Sequence, residues 1–166
     1  MGSEPIIIDS ALVSAQRRLR YYWTNINNGD IPQPEDKGLL IRDIIEDINY
    51  KVVEKPEIED IKVKTKNYWK WKPEGKKWQS QSDRAYFLDG KMCTLCKTRC
   101  SANTLVHIGG IKYKQTTPIE FERYQTLPDN YTAVINSSEK RMGLVGDGWT
   151  VDVIAHILSF MDYGKD

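Results

Sequence analysis

Short blocks of apolar side chains alternate with polar turns along the first third of the chain, and each block predicts one short element. Residues 5–9 (PIIID) are apolar and β-branched, which predicts a buried strand, and residues 10–16 then form a loop or a single helical turn. Residues 17–26 pass from charged to aromatic side chains and predict a second strand. Isoleucines at helical spacing predict an amphipathic helix over residues 38–48, before a further strand over residues 50–53.

Two glycine-containing turns predict hairpins in the middle of the chain. Asp89-Gly90 separates two apolar runs, and this dipeptide favours the tight turn of a hairpin spanning residues 86–106. Gly109-Gly110 predicts a second hairpin within residues 108–113. The middle of the chain is therefore expected to be rich in β-structure.

The clearest helix signal lies in residues 116–132 (TTPIEFERYQTLPDNYT). Thr117 can cap the first turn, Pro118 suits the first helical position, and Glu120 stands three residues after the cap, where it can bond back to it. Pro128 is expected to end the helix. The apolar face of this helix holds Phe121, Tyr124 and Leu127.

Two more helices are expected near the end of the chain. Serines in residues 136–141 offer caps for a short helix that ends near Gly143. Thr150 can cap the last helix. The apolar stripe of the last helix consists of Ile154, Ile157, Leu158 and Met161.

Length and composition indicate one core with room for a small second lobe, since the chain has 166 residues and 40% of them are hydrophobic. No apolar run approaches the roughly 18 residues of a membrane span, so we expect a soluble protein without a membrane partner. The three cysteines lie within residues 93–100, and an odd, clustered set favours a reducing, intracellular compartment.

The net charge of +1 conceals a basic segment. Residues 62–99 hold 11 Lys and Arg against 3 Asp and Glu, whereas the rest of the chain holds 13 against 20. Aromatic side chains are interspersed among these cations, as on surfaces that follow a phosphate backbone. The alternative is a solvated lysine-rich loop over a small tryptophan core. The candidate nucleic-acid contacts are Lys62, Lys64, Lys66, Lys70, Lys72, Lys76, Lys77, Arg84, Lys97 and Arg99.

The string T-P-x-E-x-x-R-x-Q-x-x-P-D-x-Y, which begins at Thr117, resembles the ninth conserved block of the DNA (cytosine-5) methyltransferases. The chain departs from that block at Lys114 and Thr116, where arginine and leucine are usual, and at Thr126, where glycine is common. The matching residues, to which the resemblance gives a structural role, are Thr117, Pro118, Glu120, Arg123 and Gln125.

An earlier string resembles the eighth block of the same family, Q-x-R-x-R followed by aromatic residues. This string is matched by Gln16, Arg18 and Arg20, which are followed in sequence by Tyr21, Tyr22 and Trp23. The resemblance implies that Arg18 and Arg20 reach the catalytic pocket and hold a flipped cytosine, with Gln16 beside them. A guanidinium suits this role because it donates to a base carbonyl or a phosphate with fixed geometry.

Residues 146–154 resemble the tenth block, G-N-x-[WV]-x-V-x-V-[IL], whose loop borders the pocket of the methyl donor. The resemblance implies cofactor contacts from Gly146, Asp147, Gly148 and Trp149. Asp147 replaces the usual asparagine, which places an acceptor-only carboxylate beside the expected donor.

Between its eighth and ninth blocks the family carries a variable target-recognition domain. The closing stretch of that domain, K-x-x-T-L followed by N-T-L-V, is similar to Lys91, Thr94, Leu95 and residues 103–106. The resemblance therefore implies an α/β fold, the C-terminal part of a Rossmann-like methyltransferase domain with an inserted small β-rich target-recognition lobe. The implied divisions are the end of the catalytic domain in residues 1–54, the lobe in 55–113 and the return to the catalytic domain in 114–166.

The residues that carry the family's chemistry have no counterpart in this sequence. It lacks the glycine-rich loop that holds S-adenosylmethionine, the Pro-Cys pair whose thiolate attacks the cytosine, and the Glu-Asn-Val string. The resemblance thus implies a DNA (cytosine-5-)methyltransferase, of restriction-modification type, that is active only as a complete enzyme. S-adenosylmethionine would be bound mainly by an N-terminal catalytic half, and no cofactor is expected for this chain alone.

The resemblance also implies the partners and the setting. Double-stranded DNA and the N-terminal catalytic half, or a subunit equivalent to it, are the expected partners, and the isolated chain is expected to self-associate. The setting implied is cytoplasmic and nucleoid-associated, of bacterial or phage type.

Two alternatives stay open. One is a non-catalytic DNA-binding or regulatory protein of the family, which is consistent with Asp147 and the missing blocks. The other is a zinc-stabilised interaction module on Cys93-x-x-Cys96-x-x-x-Cys100, with His107 nearby. Cys93 and Cys96 lie three apart in a predicted strand and would face opposite sides, so we predict no metal ligand and interpret the cysteines as buried thiols.

Overall fold

Two β-sheets and four α-helices make up the computed structural model, which describes residues 4–72, 74–75, 77, 80–97 and 104–162. None of the helices in these ranges has the length and apolar character of a membrane span. The strands are β1 (Ile6–Asp9), β2 (Leu19–Tyr22), β3 (Val52–Glu54), β4 (Val63–Lys64), β5 (Tyr68–Lys70), β6 (Arg84–Phe87), β7 (Leu105–Gly109) and β8 (Lys112–Gln115). The helices are α1 (Ile41–Ile44), α2 (Pro118–Tyr124), α3 (Ser138–Asp147) and α4 (Val151–Leu158).

The first sheet is an antiparallel pair of β1 and β2, in which Ile8 lies opposite Arg20. Both strands confirm the predictions from the sequence. A single 3-10 turn, Ser10–Leu12, follows β1, as one of the two expected alternatives for residues 10–16. Within the described residues this sheet has no third strand.

The second sheet has six strands in the order β3-β8-β7-β6-β5-β4, and all neighbours are antiparallel except β6 and β7. The predicted hairpin at Gly109-Gly110 is confirmed as β7–β8. Gly109 and Gly110 have φ values of 123° and 51°, a left-handed region that glycine enters without a Cβ clash. This sheet begins at Val52 and ends at Gln115, so it brackets the interval expected for the target-recognition lobe.

The predicted hairpin at Asp89-Gly90 is wrong. A tight turn does form, because the Gly90 N–H donates to the Phe87 carbonyl at 2.9 Å. The chain then leaves the sheet, and Met92 forms a parallel bridge with Gln16. The place beside β6 is taken by β7, which runs parallel to it, so long-range pairing overrides the local turn signal.

Helix α1 is much shorter than the predicted helix over residues 38–48. Ile45 is already extended, with ψ of 143°. Tertiary partners take the backbone groups that a longer helix would use, since the Glu46 N–H donates to Glu120 Oε1 at 2.9 Å and the Ile44 carbonyl accepts from Arg123 at 2.9 Å.

Helix α2 begins as predicted, with a capping box between Thr117 and Glu120 and Pro118 in the first turn. The Glu120 N–H donates to Thr117 Oγ1 at 3.2 Å, and the Thr117 N–H donates to Glu120 Oε2 at 2.9 Å. The helix ends at Tyr124 rather than at Pro128, because Thr126 turns to a φ of 56°. A left-handed residue of this kind commonly ends a helix, and glycine adopts it most easily.

Helix α3 is capped by the Ser137 hydroxyl and continues to Asp147, so its predicted end near Gly143 is wrong. Two glycines lie inside the helix and let its backbone approach the segment at Cys96. A Cβ on Gly146 would stand 2.7 Å from the Cys96 carbonyl oxygen, which leaves no room for any other residue.

Helix α4 starts after Thr150 as predicted, but the Thr150 hydroxyl does not cap it. Instead the Asp152 N–H donates to Thr126 Oγ1 at 2.8 Å. The buried side of α4 is formed by Val153 and Ile157, so the predicted apolar stripe is only partly right. The remaining stripe residues, Ile154, Leu158 and Met161, are half-buried or exposed.

Glu122 is a buried anchor that the sequence did not single out. Its carboxylate accepts from the backbone N–H groups of Asn130 (2.7 Å) and Thr132 (2.9 Å). The Arg141 guanidinium donates to it at 2.8 Å, which ties α3 to α2. Burial alone would raise the pKa of Glu122, but the hydrogen bonds from Arg141 and Thr132 outweigh burial and lower it.

This lowered pKa predicts a loss of stability in acid. The Glu122 contribution is present above the pKa of an unfolded glutamate and is lost as the pH falls through the lower folded pKa. Glu122→Gln is therefore expected to lower the free energy of unfolding by about 1–3 kcal/mol at pH 7, and by less as the pH falls toward about 3. Urea unfolding of both proteins across this range measures the difference. A constant difference at all pH values would contradict the assignment.

Candidate functional site

Gln16 joins three segments at the centre of the molecule. Its side chain is fully buried, and its Nε2 donates to the Tyr124 carbonyl and to Gln125 Oε1, each at 3.1 Å. Its Oε1 accepts from the Leu95 N–H at 2.9 Å. The segment at Gln16 therefore contacts the C-terminal end of α2 directly.

Gln125 extends this network to the end of the chain. It is also fully buried, and its Nε2 donates to the carbonyls of Val145 (3.0 Å) and Gly148 (3.2 Å). Its Oε1 accepts from the Thr150 hydroxyl at 2.8 Å. Since every polar atom of the Gln125 amide has a partner, the network fixes the loop between α3 and α4.

Arg18 holds the same loop from the other side. Its Nη2 donates to the carbonyls of Gly148 (2.9 Å) and Gly146 (3.4 Å), and its Nη1 donates to the Leu95 carbonyl at 3.1 Å. The residue is buried, and its Nε has no partner among the described residues. Burial, and then the charge of Arg20, lowers the pKa of Arg18. Most of its donors are thus occupied by backbone.

A cavity of about 480 Å³ opens where these segments meet, which we call the arginine cavity. Arg20 is half-exposed on its wall, and among the described residues its side chain donates only to the carbonyl of its neighbour Leu19, at 2.7 Å. Its remaining donors can therefore bind a polar group placed in the cavity. The lining residues include Arg18, Arg20, Tyr22, Trp23, Asp147, Trp149 and Ile154.

The four residues expected at a methyl donor fall in different places. Asp147 and Trp149 line the arginine cavity, and the Trp149 side chain is 66% exposed. Gly146 packs against Cys96 inside α3, and the Gly148 carbonyl accepts from Arg18. Of these four residues, Asp147 and Trp149 are therefore the ones that line the arginine cavity.

The residues expected to be structural are placed as anchors of α2. Lys114 and Glu120 form a buried ion pair, with Nζ and Oε1 2.7 Å apart. The Arg123 guanidinium donates to both carboxylate oxygens of Asp129, at 2.8 and 2.6 Å. This fork and the Asp129 charge raise the pKa of Arg123.

The basic segment is only partly available to a ligand. Lys62 lies over the Trp69 ring at 4.7 Å and pairs with Glu59 at 2.7 Å, and Lys97 pairs with Asp147 at 3.0 Å. Lys64 is exposed over the same ring, and Arg84 lies in a separate cavity described below. Exposed or half-exposed positions are also taken by Lys66, Lys70, Lys72 and Lys77. Lys76 and Arg99 lie outside the described residues.

The cysteines do not form the strand that the sequence predicted for them. Cys93 and Cys96 lie in irregular structure; Cys96 is exposed, and burial raises the pKa of Cys93. Cys100 lies outside the described residues. Within the part of the chain that the structure describes, no group of three or more His, Cys, Asp and Glu side chains is placed to hold a metal ion.

An apolar groove of about 390 Å³ adjoins the arginine cavity. It lies between α3, α4 and the turn after α2, and it shares Trp149, Ile154 and Leu158 with that cavity. Leu144 and Leu158 are 58% and 44% exposed there. Of the six apolar residues of α4, only Val153 and Ile157 are buried, and most of the others line this groove.

A comparison with protein-family models and with curated proteins finds no match to this chain.

Proposed function

We propose that this chain is the DNA-recognition and docking part of a DNA cytosine-5 methyltransferase, active only with a separate N-terminal catalytic half. The proposal rests chiefly on one observation. The three strings that resemble the eighth, ninth and tenth blocks meet in a single hydrogen-bonded network through Gln16, Arg18, Gln125 and Gly148. Segments that matched these strings by chance would have no reason to meet in one hydrogen-bonded network.

The proposal assigns each part of the fold to one of two regions of such an enzyme. In this proposal β1, β2, α2, α3 and α4 are the C-terminal part of a Rossmann-like catalytic domain. The six-stranded sheet is then the inserted target-recognition lobe, which carries most of the basic segment. DNA would lie against this lobe, with its phosphates held by exposed cations and its base edges read by loops.

The arginine cavity would form one wall of the pocket for a flipped cytosine. Arg20, whose donors are mostly free, can donate to a base carbonyl, as the resemblance to the eighth block implies. Arg18 would act as a positioning residue, because it holds the loop at Gly146 and Gly148 rather than facing the base.

The catalytic half would supply the remaining chemistry. S-adenosylmethionine provides the methyl group when bound, and Asp147 and Trp149 would form one edge of its site. The apolar groove and the exposed face of β1 and β2, which includes Ile7, Leu19 and Tyr21, would be covered by the same half. A surface of this kind is costly to leave in water.

Methyl transfer in a reconstituted mixture tests the proposal. This chain, duplex DNA of mixed sequence and radiolabelled S-adenosylmethionine are combined with and without a catalytic half from the reading frame directly upstream. We expect incorporation only in the mixture, and a loss of about 10²-fold or more with Arg20→Ala, since a donor aimed at the reacting base is removed. Absence of incorporation in a well-folded mixture would overturn the proposal.

One observation favours a second function, a non-catalytic DNA-binding protein of the same fold. The Asp147 carboxylate, which stands where the family has asparagine, is engaged by Lys97 at 3.0 Å. Salt-dependent DNA binding without methyl transfer in any mixture would favour this function.

A further inference from the structure

A second polar cavity, of about 360 Å³, is lined by Arg17, the neighbour of the Arg18 that lines the arginine cavity; we call it the junction cavity. It opens where Arg17, the segment from Lys91 to Thr94 and the strands β5 and β6 meet. Arg17 and Arg18 are adjacent in sequence, so their side chains leave an extended segment in opposite directions. The lining residues are Arg17, Asn67, Tyr68, Gln81, Arg84, Tyr86, Lys91, Cys93 and Thr94.

Two arginines in the junction cavity lack a carboxylate partner. Arg84 lies over the face of the Tyr68 ring, 5.0 Å from its centroid. Arg84 is half-buried, and the groups that raise its pKa against burial are the hydroxyl of Tyr86, Tyr68 and Cys93 rather than a carboxylate. Arg17 is exposed, and neither arginine forms an ion pair among the described residues.

Lys91 adds charge to this cavity but no free donor. Its ammonium group donates to the backbone carbonyls of Ala11, Ser14 and Leu39, so its three N–H bonds are used. Burial lowers the pKa of Lys91, the charges of Asp36 and Asp9 raise it, and the charge of Arg17 lowers it again. Carboxylates thus partly balance Lys91, and the positive charge that a ligand can use in this cavity comes from the two arginines.

Tyr86 brings a hydroxyl to the same cavity. The residue is 2% exposed, and its hydroxyl lies beside Arg84 and Cys93, whose pKa values it shifts. Among the described residues no hydrogen bond of good geometry fixes this hydroxyl, so it can turn toward a bound oxygen. The amides of Asn67 and Gln81 line the same space.

We propose that the junction cavity binds one phosphate of the DNA backbone, with Arg17 and Arg84 as its charged donors. This inference rests on the proposed function, because it takes the ligand to be DNA. An oxyanion fits the site since two arginines, which form no ion pair among the described residues, and neutral polar side chains line one space. A free nucleotide shares this chemistry, so the experiment has to distinguish it from the polymer.

A phosphate in the junction cavity would lie between two parts of the molecule. Arg17 belongs to the segment that builds the arginine cavity on its other face, whereas Arg84 belongs to the six-stranded sheet. One bound phosphate would thus contact both parts of the molecule and fix the DNA strand between them. Contacts of this kind set the register of the duplex without reading its sequence.

Salt-dependent binding tests the inference. Fluorescence anisotropy of a labelled 20-base-pair duplex is measured against KCl concentration for the wild-type chain, Arg17→Ala, Arg84→Ala and Arg84→Lys. Each alanine variant is expected to bind about 10-fold more weakly and to reduce the slope of log K against log [KCl] by about 1. Arg84→Lys is expected to keep the slope but lose affinity, because it keeps the charge and loses the planar fork.

Controls separate this inference from the proposed function. Lys112→Ala removes an exposed cation on β8 that lies outside the junction cavity, and is expected to change the slope by much less. Thermal unfolding of each variant shows that it is folded. If the wild-type chain does not bind duplex DNA, the proposed function fails. If it binds and both alanine variants keep the wild-type slope, only the phosphate assignment fails. Equal affinity for a free deoxynucleotide, with the same loss in the variants, would overturn the assignment to DNA backbone.

Discussion

Lys114→Met is expected to lower the free energy of unfolding by about 3–5 kcal/mol, the largest effect of any single side chain described above. Lys114 is fully buried, and its ammonium group lies 2.7 Å from Glu120 Oε1. Glu120 also accepts from the N–H groups of Glu46 and Thr117, each at 2.9 Å. Removal of the lysine leaves a buried carboxylate with two backbone donors but without its direct ion-pair partner, and the charge of Arg123 acts on it only from a greater distance.

A double-variant cycle shows whether the pair acts as a unit. Glu120→Gln alone should be comparably destabilising, because it leaves the Lys114 ammonium without its anion. The double variant should lose clearly less free energy of unfolding than the two single variants together, with a coupling energy between Lys114 and Glu120 of at least about 1 kcal/mol. Urea unfolding monitored by tryptophan fluorescence provides these values. Lys112→Met, an exposed change two residues earlier on the same strand, is the matched control, with an expected effect within about 0.5 kcal/mol.

Gly146→Ala is expected to lower the free energy of unfolding by about 2–4 kcal/mol, although alanine normally stabilises a helix. The new Cβ would lie 2.7 Å from the Cys96 carbonyl oxygen and 2.8 Å from its carbon. These atoms belong to backbone, so no side-chain rotation relieves the clash. Either α3 or the segment at Cys96 must move, and both carry carbonyls that hold Arg18.

Gly143→Ala is the matched control in the same helix. Its Cβ would lie 3.2 Å from the Lys97 carbonyl oxygen, a contact that a shift of a few tenths of an ångström relieves. The gain in helix propensity, about 1 kcal/mol, offsets this strain, so we expect little net change in the midpoint of thermal unfolding. Equal effects of the two alanines would show that the close approach at Gly146 carries no special cost.

Elements that depend on neighbours in sequence were predictable. The capping box of Thr117 and Glu120, the strands β1 and β2, and the glycine turn between β7 and β8 each form as their local chemistry indicates. Such features need no information about the rest of the fold, because a cap or a tight turn is completed within a few residues.

Elements decided by distant contacts were not predictable. Helix α1 stops early because Glu120 and Arg123 bind the backbone groups that would extend it. Helix α3 continues past Gly143, where the sequence predicted its end. Gly143 and Gly146 lack side chains, so the helix can pack closely against the segment at Cys96. In the candidate site, the strings singled out Gln16, Arg18 and Arg20, which the structure places in or beside the arginine cavity, but Arg17 carried no signal of its own. That Arg17 lines the junction cavity depends on β5 and β6, which are distant in sequence.

The long reach of the Gln16 network also constrains the order of events in folding. Ser14, Gln16 and Arg18 bind carbonyls that lie 110, 108 and 130 residues further along the chain. Closing loops of that length is slow compared with forming a local helix or hairpin. These polar side chains therefore stay hydrated until the segment from Tyr124 to Gly148 has been synthesised and docks against them.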